Sequence, residues 1–139
     1  MKVSNLLVLV YSSLFSMGWS FQTPPTSPLQ GDWQLLSIQL PGSERITDFN
    51  GKIAAIRFDT AHNQSSGSTG CNRFSGSYVT VNGQMRFDME KMALTRMACV
   101  GDNERIFLDA LKRITHSTIE GQALVMSSGN TVIMRWQKK

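Results

Sequence analysis

Asn82-Gly83 lies between two runs of alternating polar and apolar side chains, and no other feature of the chain restricts its fold so strongly. In Gln84-Met85-Arg86-Phe87-Asp88-Met89 every second residue is apolar, the period of a strand with one face in a core. Asn and Gly both accept positive φ, so this strand pairs antiparallel with residues 75–81 through a two-residue turn. The same alternation recurs at Ala54, Ile56 and Phe58, and again at Val132, Met134 and Trp136, each set facing inward. Residues 33–40 are apolar but shift register, which fits either a bulge or burial on both faces. Glu120-Gly121-Gln122 divides residues 119–126 into two short strands, and Ser128-Gly129-Asn130 turns the chain into the last one.

One helix interrupts these strands. After Gly101, Asp102 is placed to cap a segment in which Ile106, Phe107, Ala110, Leu111 and Ile114 recur at helical spacing, with Asp109 and Arg113 paired on the outer side. Short strands, short connections and one amphipathic helix predict an α+β fold: a curled antiparallel sheet or partly open β-barrel with one packed α-helix.

The chain has 139 residues, 41% hydrophobic and 17% charged, the balance of a single globular domain. Its formal net charge is +4, but the arginines are scattered and form no stripe, so no nucleic-acid partner is expected. Residues 1–20 read as a signal peptide, with Lys2 ahead of a short apolar run and small residues Gly18 and Ser20 near the cut. That run is broken by Ser12-Ser13 and is shorter than a membrane span, so no transmembrane anchor is expected after cleavage. No cysteine stands near the cut to take a lipid. Residues 21–30 form a Pro/Ser/Thr-rich spacer and residues 31–139 the folded domain, in a product that is periplasmic or secreted. In such a compartment Cys71 and Cys99 favour a disulfide, worth roughly 3 to 4 kcal/mol for a loop of about 28 residues in the chain-entropy picture. A metal or redox role fits less well, because the spacing is not C-x-x-C.

Signs of catalysis are sparse. The only imidazoles are His62, in the polar loop of residues 60–68, and His116, just past the helix. Surface or capping duty explains both better than general-base chemistry. Gly67-Ser68-Thr69-Gly70 precedes a strand instead of a helix N-terminus, so it reads as a tight structural loop and not a phosphate cradle. Asn63-Gln64-Ser65 matches a glycosylation sequon and supports an exposed loop. Asp88 and Glu90 read as solvated carboxylates. No metal site and no cofactor are expected.

Gly70-Cys71-Asn72-Arg73-Phe74-Ser75-Gly76-Ser77-Tyr78, followed by Met92-Ala93-Leu94-Thr95-Arg96-Met97-Ala98-Cys99, resembles the META domain of the HslJ heat-shock family. Trp33-Gln34-Leu35, Ile56-Arg57-Phe58, the helix from Glu104, Leu124 and Trp136 agree in order. The resemblance implies a compact α+β domain, a partly open antiparallel barrel with one helix, often exported, with a Cys71–Cys99 disulfide and a surrounding set of Gly70, Asn72, Arg73, Gly76, Thr95 and Arg96. Physical chemistry suggests a role for each: glycines for close backbone approach, Asn72 and Thr95 to satisfy buried groups, Arg73 and Arg96 to fix or recruit carboxylates. The expected function is a monomeric, non-enzymatic, stress-related module that binds an envelope protein or an apolar ligand. A protease inhibitor or chaperone-like guard presenting the His62 loop is the alternative. A hydrolase using His62 or His116 comes third.

Overall fold

The computed structural model describes Ser20 and residues 22–139, so the expected leader lies, Ser20 apart, outside the described residues. The chain runs β1 (Gly31–Ile38), β2 (Ala55–Asp59), β3 (Gln64–Ser68), β4 (Arg73–Val81), β5 (Gln84–Phe87), β6 (Ala93–Leu94), α1 (Asn103–Arg113), β7 (His116–Glu120), β8 (Ala123–Ser128) and β9 (Thr131–Lys138). The strands pair antiparallel in the order β3-β2-β1-β9-β8-β7-β5-β4-β6. A further β3–β4 pairing joins the ends, so the expected curled or partly open sheet is a closed barrel of eight strands, with short β6 added outside the ring on β4.

Closure depends on a strand that hydrophobic patterning does not show. Where the sequence suggested a polar loop, residues 64–68 pair with β2 over five positions and with β4 over five more. Gly67 and Ser68 therefore belong to β3 and not to a tight loop. Gly67 is there for space: a Cβ would stand 2.0 Å from the Ala55 carbonyl oxygen. Ser65, buried, donates through Oγ to the Gly76 carbonyl at 3.0 Å. The seam between β5 and β7 is the narrowest part of the ring, with Gln84 opposite His116 as its one paired register position. Met85 N–H to Thr115 O (2.9 Å) and Ser117 N–H to Gly83 O (2.8 Å) complete it.

The β4–β5 hairpin turns at Asn82 (φ 51°) and Gly83 (φ 80°), as the dipeptide predicts. In β1 the register against β9 shifts between Leu35 and Ser37, and Leu36 is turned outward, so the irregular apolar pattern is a bulge. A second bulge between β8 and β9 changes the expected inward set of the last strand. Ile133 joins Met134 and Trp136 in the core, while Val132 is only half-buried.

Side chains fill the barrel. Trp33, Trp136, Tyr78, Phe58 and Phe107 are fully buried, and Phe58 meets Tyr78 edge-on at 5.0 Å between centroids. Each such aromatic contributes about 1.5 to 3 kcal/mol by leaving water. The helix buries Phe107, Ala110 and Leu111, and Ile114 follows them into the core. Phe107 packs between Phe74 of β4 (5.6 Å) and Trp136 of β9 (6.1 Å), so α1 stoppers one mouth of the barrel. Asp109 and Arg113 pair at 3.0 Å as expected. Asp102 occupies the N-cap position but makes no side-chain cap; its carboxylate turns to Arg105 instead. Leu29, ahead of the expected boundary at Gly31, is already in the core, and its carbonyl accepts from the Trp33 indole at 2.8 Å. Lys138 sits over the Trp33 ring and donates to the Pro28 and Gln30 carbonyls, fixing the end of the spacer against the last strand.

Candidate functional site

The strand pairing assembles the motif residues. β6 lies on β4 with Phe74 opposite Leu94 and Ser75 opposite Ala93, so residues 95–99 run back across the start of β4. Gly76 permits this approach, since a Cβ there would come within 3.3 Å of the Met92 backbone. Gly70 turns with φ +92°, which an L side chain resists, and directs Cys71 toward Cys99. The two cysteines form the expected disulfide, with their Cα atoms 5.9 Å apart.

Asn72, 1% exposed, is the hub beneath that bridge. Its Oδ1 accepts from Met97 N–H at 2.7 Å and from Thr95 Oγ1 at 3.0 Å, which fixes the orientation of the amide. Its Nδ2 faces Glu104 Oε1 (3.0 Å), Met97 O (3.2 Å) and Cys99 Sγ (3.2 Å), so two hydrogens serve three acceptors. The Asn72 backbone N–H points at Thr69 Oγ1 (2.9 Å) and Glu104 Oε2 (3.2 Å), and Thr69 Oγ1 donates to that carboxylate oxygen at 2.7 Å. Thr95 Oγ1 also accepts from Arg73 N–H at 2.9 Å. The expected satisfaction of buried groups by Asn72 and Thr95 is thus present.

Glu104 and Thr69 were not singled out in the sequence. Glu104 reads there only as part of the helix, yet its first-turn position carries the carboxylate into the Asn72 network. The one available signal was the proximity of Thr69 to Cys71 in a loop that must bury Asn72.

An open cleft of about 340 Å³ adjoins the bridge, bounded by Phe49, Lys52, the two cysteines, Val100 and Glu104. Asn50 Nδ2 donates to the Val100 carbonyl at 3.1 Å and ties the two rims together. The sulfurs and the Glu104 carboxylate lie within 4.8 Å of one another. With the sulfurs bonded to each other, neither is the thiolate that zinc takes as a ligand, so the trio is not a metal set in this state. Met97 (62% exposed) and Val100 (86%) stand out in solvent beside the bridge.

Arg73 and Arg96 are exposed, and among the described residues neither guanidinium has a carboxylate partner. His62 is exposed and bonds Asp59 through Nδ1 at 2.7 Å; that hydrogen bond, first, and the imidazole charge hold the Asp59 carboxyl below its ordinary range. His116 Nδ1 meets Thr115 Oγ1 at 2.8 Å, an oxygen already taken by the Gly129 amide at 2.8 Å. Neither imidazole joins an acid, a base and a free nucleophile among the described residues. Two buried polar atoms, Tyr78 Oη and Trp136 Nε1, have no hydrogen-bond partner among the described residues. Burial, followed by the charge of Asp59, pushes the Tyr78 hydroxyl pKa up. No described helix is long and apolar enough to cross a membrane.

The family model of the META domain matches residues 27–139. No curated protein sequence matches the chain. Among solved structures, the NMR structure of a protein from Burkholderia xenovorans is similar, with TM-score 0.65 and 19% identity over 88% of this chain and 99% of that one. A crystal structure of a DUF4847 family protein from Bacteroides vulgatus ATCC 8482 has TM-score 0.57 and 11% identity, covering 80% of this chain and 94% of its own. A second NMR structure has TM-score 0.55 and 23% identity over 78% and 89%. At these identities the likeness concerns the fold alone.

Proposed function

This chain belongs to the META domain family, and we propose that it is an exported, non-enzymatic, stress-related binding module that holds an envelope protein on its outer surface. The observation that carries this reading is the filled barrel: Trp33, Phe58, Tyr78, Phe107 and Trp136 occupy the interior where a carrier would keep its apolar ligand. Contact therefore falls to the outside. Of the exposed apolar residues, Val100 lines the cleft at the disulfide, Ile53 follows Lys52 on its other rim, and Met97 lies two residues before Cys99 in the neighbouring depression beside Ala98. An apolar side chain of a partner protein fits between Val100 and Ile53, with Lys52 available to its polar neighbours. The disulfide supports an oxidising, extracytoplasmic setting.

A photo-crosslinking residue placed at Val100 or Met97 in the producing cell tests this reading. Discrete protein adducts are expected at those positions and not at Val79 on the outer face of β4. Native mass spectrometry of the purified protein should show no retained lipid. A stoichiometric lipid, or the same crosslinks from Val79 as from Val100, would defeat the proposal.

A further inference from the structure

We propose that the Cys71–Cys99 bridge is a reversible thiol-exchange site of fixed polarity, in which a small thiol in the cleft bonds to Cys71 and Cys99 leaves as the free thiol. This goes beyond partner binding and does not depend on it. Both sulfurs border the open cleft, so a small molecule reaches them without unfolding the domain.

The two sulfurs have different surroundings. Cys99 Sγ has the Asn72 Nδ2 donor at 3.2 Å and the Met97 carbonyl at 3.5 Å. Among the described residues Cys71 Sγ has only the Ala98 carbonyl oxygen, at 3.9 Å. Negative charge that develops on Cys99 as the bond breaks draws one of the two shared amide hydrogens of Asn72. The same charge on Cys71 would face an acceptor and no donor. The Glu104 carboxylate lies within 4.8 Å of both sulfurs and opposes a thiolate on either, so the polarity rests on the Asn72 donor, which stands at Cys99. Once protonated, Cys99 has the Met97 carbonyl as acceptor for its S–H.

The step balances. A thiol RSH gives its proton to water, and RS⁻ attacks Cys71 Sγ. A bond forms between the R-group sulfur and Cys71 as the Cys71–Cys99 bond breaks, its electron pair passing to Cys99, which takes a proton from cleft water. The products are the Cys71 mixed disulfide and Cys99–SH. A second RSH attacking the mixed disulfide releases RSSR and leaves Cys71–SH. Lys52 on the rim suits a thiol that carries a carboxylate, such as glutathione.

The experiment uses the intact oxidised protein with a series of glutathione concentrations, acid quench, alkylation of the free thiol and peptide mapping, with tryptophan fluorescence reporting the folded state. Exchange should proceed in the folded protein at a rate linear in glutathione. Glutathione should be found on Cys71 about threefold to tenfold more often than on Cys99, the ratio that one hydrogen bond to the leaving sulfur supplies. A rate that levels off at the global unfolding rate, or no reaction while the fluorescence stays native, would make the bridge a purely structural one. Equal adducts, or a majority on Cys99, would overturn the assigned polarity.

Discussion

Replacing Asn72 by Asp changes one NH2 group to an oxygen and almost nothing in shape, yet the structure makes it a severe change. The Oδ1 that serves Met97 N–H and Thr95 Oγ1 is kept. The other oxygen would stand where Nδ2 now is, 3.0 Å from Glu104 Oε1 and 3.2 Å from the Met97 carbonyl, turning two attractions into two repulsions. Two like charges at that distance repel by on the order of 5 kcal/mol at an effective dielectric of about 20. Proton uptake by the new carboxyl caps the penalty. A cost of about 3 to 5 kcal/mol is expected near neutral pH, a large share of the roughly 5 to 15 kcal/mol that holds a domain together.

The sign follows from linkage. The new carboxyl has its pKa raised in the folded state, so folding takes up a proton and stability falls as pH rises from the unfolded value of about 3.9 toward the folded one. The penalty is smallest in acid and complete above the folded pKa. Urea unfolding of the oxidised Asn72→Asp and parent proteins at acid and neutral pH measures it. An unchanged midpoint at neutral pH, or a loss of the same size at every pH, would refute the electrostatic reasoning.

Three other outcomes are expected. Gly67→Ala drives a Cβ into the Ala55 carbonyl and separates β2 from β3, costing about 3 kcal/mol or more in urea unfolding; a midpoint within error of the parent would mean that the strands yield freely. Phe107→Ala leaves a void between Phe74 and Trp136 and lowers stability by about 3 to 5 kcal/mol, and a loss below about 1 kcal/mol would show that α1 collapses into the gap. His62→Ala removes the side-chain hydrogen bond that contributes most to lowering the Asp59 pKa, so an NMR titration should find that carboxyl shifted upward toward the ordinary range while the backbone amides of residues 61 and 62 continue to hold it. Because the folded value is the lower one, the contribution of Asp59 to stability in the parent is present above the ordinary carboxyl range and fades as pH falls through the depressed pKa.

The elements legible in the sequence are those in which one residue type has one structural outlet. Asn82-Gly83 dictates the tight turn of β4 and β5, and the spacing of Phe107, Ala110, Leu111 and Ile114 marks the buried side of α1, whereas the displaced apolar pattern after Trp33 left a bulge and two-sided burial open and the structure decides for the bulge. Cys71 and Cys99 meet as their compartment suggested. β3 was hidden because Gln64-Ser65-Ser66-Gly67-Ser68 alternates in nothing. Its burial is expressed by a missing Cβ at Gly67 and by a serine bonded to backbone, neither of which registers as hydrophobicity. The closed ring was hidden with it. Part of the candidate site was legible as motif, Asn72 and Thr95 above all, but Glu104 reaches them from a helix 32 residues away in sequence from Asn72, a distance that local patterning does not bridge. Arg73 and Arg96 stood out by charge and turned out to face solvent.

All ring neighbours except β1–β9 and β5–β7 are consecutive along the chain, so the barrel consists of two meanders joined at those two places. The β1–β9 junction is long and the β5–β7 junction is a single register position. Most of the ladder forms from contacts of short range, and the entropic toll of loop closure falls on the long junction, which has the pairing to offset it. The short one has little to resist breathing. In amide hydrogen exchange, the protons of Met85 and Ser117 should trade with solvent well before those of β8 and β9, marking the place where the cylinder unrolls.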